Sequence, residues 1–169
     1  MNQVSKRPVP LFRKQGLLDH IKCWMKSKPK KYVWGTCAGL ILLAEEIFNE
    51  KDGGQCKIGG LDIIVSRNSY GRQRESFEQK INIKSDEIIS NDFIVKNNQS
   101  TSFDGIFIRA PKIIELKNPD LVMVLAENSN GEIVAVRQDN LMATTFHPEL
   151  TNDLRFHNYF LELIVNTSR

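Results

Sequence analysis

Nowhere does the chain carry about eighteen consecutive apolar residues, the length a membrane-spanning helix needs, so no transmembrane segment is expected. Cysteine is scarce: Cys23, Cys37 and Cys56 are three among 169 residues, with no CxxC pair. An odd number without paired spacing is not a disulfide framework. Histidine is as rare (His20, His147, His157), and none stands at zinc-ligand spacing from a cysteine, so no metal is expected. The opening MNQVSKRPVPLFRK is basic but leads into no apolar stretch, so no secretory signal is expected. With neither export signal nor disulfide pattern, the expected compartment is the reducing cytoplasm.

What remains is ordinary for one globular domain: 41% hydrophobic and 25% charged residues, in a length that can bury a core. The charge is uneven. Residues 1–31 hold nine Lys or Arg against Asp19 alone, a net +8, which leaves −5 for the rest. Such an arm can bind nucleic acid or address an organelle. The plainer reading is a solvated helix face behind a loose leader, and Pro8 and Pro10 oppose an amphipathic targeting helix. No nucleic-acid partner and no membrane partner are therefore expected.

Leu17, Ile21 and Trp24 fall on one face of a helix over 16–25. Tyr32-Val33-Trp34 reads as a short strand, and Gly35-Thr36-Cys37-Ala38-Gly39 breaks sharply into a second helix. There Leu40, Leu43, Ala44 and Ile47 keep the spacing of a buried stripe. After a polar, Gly-rich loop over 51–60, strand-like runs follow at 61–66, 76–83, 105–108, 121–126, 133–137 and 142–146. Asn128-Ser129-Asn130-Gly131 is a hairpin turn. Thr151-Asn152-Asp153 supplies N-cap chemistry for a last helix with Phe156, Phe160 and Leu163 in line. Strand, tight turn and helix in succession indicate an α/β protein.

Cys37 sits in that small-residue turn, where a backbone bends sharply and a carbonyl substrate comes close. A helix N-terminus would also favour its thiolate. The same local pattern fits a buried thiol acting as a small apolar side chain. Phe146-His147-Pro148-Glu149 tips the balance, because a nucleophilic thiol needs a base and the base needs a group to orient it. His147 is the candidate base and Glu149 its orienter.

GTCAGLILLAEEI with TTFHPEL resembles the class I, triad-type glutamine amidotransferases. LDIIVSRNSYGRQRESFE, FDGIFIRAPKI and GEIVAVRQDNLMATTFHPELTNDLRFHNYFLELIV are similar to blocks of their pyridoxal 5′-phosphate synthase branch. The resemblance runs from about Gly16 to the end. It implies a flavodoxin-like α/β fold, a mostly parallel sheet flanked by helices, and hydrolysis of L-glutamine to glutamate and ammonia without a cofactor. The ammonia would pass to a synthase (lyase) subunit making pyridoxal 5′-phosphate, vitamin B6.

Carried over by position, Cys37 is the nucleophile, His147 the base, Glu149 its orienter and Ala38 an oxyanion donor. Arg67, Ile108 and Arg109 are the implied glutamine contacts. Arg72 and Arg74 read as surface residues, Cys23 and Cys56 as inert, His157 as packing or capping. The family's opening strand with its LQG-type turn, and its Pro-Gly-Gly-Glu-Ser-Thr loop, have no counterpart in the 36 residues ahead of Cys37. The expectation is therefore an irregular basic leader over 1–15 and an amidotransferase domain over 16–169, lacking its first strands. In the family that loop supplies a second oxyanion donor, so an impaired paralogue or isoform acting as a binding module is the alternative. A general cysteine hydrolase would leave the arginine-bearing blocks unexplained.

Overall fold

The computed structural model describes residues 16–50, 56–67, 76–90 and 100–167, so the expected leader over 1–15, Arg72 and Arg74 lie outside the described residues. In chain order the elements are α1 (Leu17–Lys26), β1 (Val33–Thr36), α2 (Ala38–Leu43), β2 (Ala44–Phe48), β3 (Leu61–Ser66), β4 (Ser76–Ile83) and α3 (Asp86–Ser90). They continue with β5 (Ser102–Ile108), β6 (Lys112–Leu116), β7 (Met123–Asn128), β8 (Ile133–Gln138), β9 (Leu141–Thr144), a 3₁₀ turn (Pro148–Leu150) and α4 (Arg155–Thr167). Among the described residues no helix is long and apolar enough to cross a membrane.

Six strands form one sheet in the order β1-β9-β8-β7-β4-β5, and β2-β3-β6 form a second. The α/β architecture agrees with expectation, but the strand directions differ from the mostly parallel sheet anticipated. Only β1–β9 and β2–β3 are parallel; the other described pairings are antiparallel. For β7–β8 and β8–β9 short connections are the cause, since strands joined by tight turns must run antiparallel. Asn128–Gly131 closes β7 onto β8, with Gly131 at φ 76° and Asn128 Oδ1 accepting from Asn130 N–H at 2.9 Å. Asp139-Asn140 returns β8 into β9, with Asp139 in the left-handed region at φ 54°.

The second helix is also shorter than its apolar stripe predicts. It ends at Leu43, and Ala44 and Ile47 are buried from strand β2, which pairs with β3. Tertiary pairing overrides helical periodicity there.

Alternation along β9 shows how the main sheet divides the interior. Leu141 and Ala143 join a core with Leu40, Leu43, Ile63 and Val65, beneath α2 and the small sheet. Met142 faces the other core, where Ile81, Phe107, Phe146, Phe156 and Tyr159 pack under α4. The expected cap chemistry holds α4 in place. Asp153 Oδ1 accepts from Arg155 N–H at 3.0 Å, and the Arg155 guanidinium reaches both Asp153 and the Ser102 carbonyl of β5.

Candidate active site

The site forms at the C-terminal ends of the parallel pair β1 and β9, whose register sets Thr36 beside Thr144. One residue beyond β1, Cys37 has φ 49° and ψ −102°, a conformation that non-glycine residues avoid. Its amide donates to the Thr144 carbonyl at 2.9 Å, which keeps the elbow attached to the sheet. Gly35 makes the elbow possible, because a Cβ there would meet the backbone of Gly39 at 2.6 Å.

Phe146 delivers the imidazole. It is fully buried, packed nearly perpendicular to Phe156 at 5.3 Å, and so fixes where the next residue emerges. The His147 amide donates to the Ile106 carbonyl at 2.8 Å, while the Cys37 thiol donates to the Ile108 carbonyl at 3.6 Å. Cys37 and His147 thus hang from carbonyls two residues apart on β5. His147 Nδ1 lies 2.7 Å from Glu149 Oε1. Its Nε2 is buried without a hydrogen-bond partner among the described residues. With Nδ1 committed to the carboxylate, Nε2 is the nitrogen left to exchange a proton.

The electrostatics are specific. Burial would raise the Glu149 carboxyl, but the hydrogen bond with His147, its own backbone amide and the charges of His147 and His157 hold it below the usual range. The Cys37 thiol moves the other way: burial pushes it up, the Ala38 amide pulls it down, and the Glu149 charge raises it again. The helix-end preference for thiolate is therefore overcome, and the resting sulfur is a thiol that needs a base.

The sequence matches the SNO glutamine amidotransferase family over residues 8–166. The chain belongs to that family. The match begins nearer the N-terminus than the resemblance read from Gly16 onward. A Dictyostelium discoideum protein named probable pyridoxal 5′-phosphate synthase subunit pdx2 is 43% identical over 149 residues, 82% of this chain and 58% of its own length. A pyridoxal 5′-phosphate synthase subunit PdxT of Thermoanaerobacter pseudethanolicus is 46% identical over 149 residues, 88% of this chain and 68% of its own. A crystal structure of a glutamine amidotransferase superposes with a TM-score of 0.70 at 38% identity, covering 90% of this chain and 70% of that one.

Within this SNO-family fold the structure brings Cys37, Ala38, Ile108, His147 and Glu149 together. Arg109 follows Ile108 at φ 43°, a second left-handed non-glycine residue beside the thiol's acceptor. Arg67 follows β3, whose last residue Ser66 pairs with Lys112 just beyond Arg109, so topology carries it to the same end of the small sheet. Residues 68–75, most of the RNSYGRQ block, lie outside the described residues. His157 packs as expected, edge-on to Trp34 at 5.1 Å. Sequence reasoning missed the Thr144 and Ile106 carbonyls. They act through main-chain oxygen, which residue type does not reveal.

The thiol's environment yields a pH prediction. A raised folded-state value means that deprotonation lags behind that of an ordinary cysteine as pH rises. Iodoacetamide alkylation of Cys37, followed by peptide mass spectrometry, should show a midpoint above that of a free cysteine peptide. Glu149→Gln, which deletes the charge that adds to burial in raising the thiol, should move it back down. A wild-type midpoint at or below that of the peptide would contradict this electrostatic picture.

Proposed function

We propose that this chain is the glutaminase component of a pyridoxal 5′-phosphate synthase, hydrolysing L-glutamine to glutamate and ammonia. The observation that carries the reading is the Cys37 elbow and the His147–Glu149 pair held by one strand, β5. His147 Nε2 takes the proton from Cys37 Sγ, and the thiolate attacks the side-chain amide carbon of glutamine. The Ala38 amide steadies the resulting oxyanion. His147 returns the proton to the departing nitrogen, the C–N bond breaks, and ammonia leaves a glutamyl thioester. Water, deprotonated by His147, attacks that carbonyl; glutamate departs and the thiol is restored. Arg67 and Arg109 suit the substrate's α-carboxylate, which a guanidinium binds through charge-assisted hydrogen bonds. The Ile108 main chain is the further proposed contact.

Two relatives bear names of pyridoxal 5′-phosphate synthase subunits, which favours a partner synthase subunit as the consumer of the ammonia; the compartment proposed for both is the cytoplasm. Residues 16–169 would act as one amidotransferase domain behind a basic leader. The test is a coupled glutamate assay on the full chain, alone and with purified synthase subunit. The expected outcome is glutamine-dependent glutamate release that rises with the synthase. Absence of release under both conditions would sink the reading. The binding-module alternative draws support from the half-buried thiol, which burial makes harder to ionise. A glutamine-like electrophile separates the two, labelling Cys37 rapidly and selectively in an enzyme and slowly in a module.

A further inference from the structure

The strand ends opposite the catalytic elbow frame a second hollow. Leu141 opens β9 and lies about 10 Å along the strand from Thr144, at the usual rise per strand residue. There a cavity of about 700 Å³, within the range of small-ligand sites, separates α1 from the segment leading into β3. Its floor is apolar, made of Met25, Ile58 and Leu141. Gly59 and Gly60 form part of the wall with bare backbone at φ 76° and 108°. A Cβ on Gly60 would lie 2.8 Å from Leu141 Cδ1. A side chain there would fall on the floor, so glycine keeps the hollow open.

Lys22 and Lys26 stand one helical turn apart on α1, and both line this cavity. Neither has a carboxylate partner among the described residues. Like charges at this spacing destabilise a helix, so a pair of them beside an apolar floor asks for a counter-charge. The facing wall is already committed. Lys57 Nζ donates to the Glu45 carbonyl at 3.3 Å and lies 3.9 Å from the Glu50 carboxylate. Glu45 Oε2 in turn accepts from the Gly60 amide at 3.4 Å. The cavity is therefore polarised, with two uncommitted ammonium groups on the α1 side and a carboxylate on the other.

We propose that this cavity binds a small phosphomonoester, with its dianionic head between Lys22 and Lys26 and its carbon body on Met25, Ile58 and Leu141. Among the described residues no arginine lines the cavity, so the planar two-point grip that suits a carboxylate is missing. Lysines hold phosphate as point charges and need no such plane. Glu45 repels a second anionic group at the far end and offers an acceptor to a hydroxyl or amine there. A smaller extension of the groove runs past Lys26 to Lys28 and Lys30, the latter paired with Asp139. Positive charge at that mouth draws anions inward.

The site lies apart from Cys37 and its test needs no turnover, so it stands or falls independently of the glutaminase reading. Phenyl phosphate, which joins a dianion to an apolar ring, is titrated into the full chain by calorimetry at physiological ionic strength. Binding of one equivalent with a Kd below about 1 mM is expected. Inorganic phosphate should bind several-fold more weakly, because it leaves the floor uncovered. The double variant Lys22→Gln/Lys26→Gln should weaken phenyl phosphate about tenfold or more, the scale of a lost charge-assisted hydrogen bond. Lys80→Gln/Lys84→Gln removes the same charge from β4 and its end and should leave the affinity unchanged. Absence of binding, equal affinity for inorganic phosphate, or equal losses in the two double variants would each overturn the proposal. Amide NMR of the wild-type chain decides it even where a variant does not fold. The Gly59 and Gly60 resonances should move with added phenyl phosphate while that of Gly131, in the β7–β8 turn, stays still; the reverse pattern places the ligand elsewhere and overturns the site.

Discussion

Cys37→Ser is expected to lower the glutaminase kcat by roughly ten-thousand-fold or more, the scale on which loss of a hydrolase nucleophile acts. The substitution changes one atom and keeps the elbow, since serine can adopt the φ of 49° that cysteine already holds there. What it removes is acidity and polarisability. The surroundings already raise the thiol, through burial and the charge of Glu149, so the margin left for His147 to ionise it is narrow. A hydroxyl in the same place starts several pH units higher, so the same imidazole has a much weaker acid to activate in a site built around a thiol. Single-turnover assays should show no burst of ammonia, and intact-mass spectrometry no glutamyl adduct. Retention of a tenth of wild-type activity would place the nucleophile elsewhere.

The candidate site was more legible than its supports. Cys37, His147 and Glu149 announce themselves by residue type and spacing, because thiol, imidazole and carboxylate have few common uses in a turn flanked by small residues. Their scaffold is backbone. The carbonyls of Thr144, Ile106 and Ile108 fix the elbow and the histidine, and any residue provides a carbonyl. His157 reads from sequence as packing or capping, and its edge-on contact with Trp34 is packing. That contact forms only when α4 folds back beside β1, a long-range event that local pattern does not encode.

In the fold, local rules succeeded where local chemistry decides. The Asn128–Gly131 hairpin, the Asp153 cap and strands β3 and β4 lie where turn residues and alternation place them. They failed at residues 44–48. Ala44 and Ile47 continue the helical stripe of Leu40 and Leu43, yet the chain pairs with β3 instead. Both arrangements bury the same side chains, so periodicity could not choose between them. Strand direction was the other gap. A resemblance carries an average topology, whereas the turns at 128–131 and 139–140 impose antiparallel neighbours on this half of the chain.

Gly35→Ala should cost about 3 kcal/mol, the upper part of the usual range for overpacking. That corresponds to a fall in Tm of roughly 6–12 °C for a chain of this size. A Cβ at position 35 would lie 2.6 Å from Gly39 C, 2.7 Å from Gly39 O and 2.9 Å from Leu40 N. All three are main-chain atoms, so no side chain can swing aside. Relief requires lifting α2 from β1, and Cys37 is the hinge between them. Activity should therefore fall together with stability. Gly39→Ala, four residues on and inside α2, is the internal control. A Cβ there meets nothing within 4 Å. Alanine is the better helix former by about 0.8–1 kcal/mol, so this variant should melt at or slightly above the wild type. Two glycines of one turn thus carry opposite expected signs under the same substitution. Paired thermal melts by circular dichroism read both. A Gly35→Ala protein as stable as Gly39→Ala would mean that strand and helix do not approach as closely at the elbow as this packing requires.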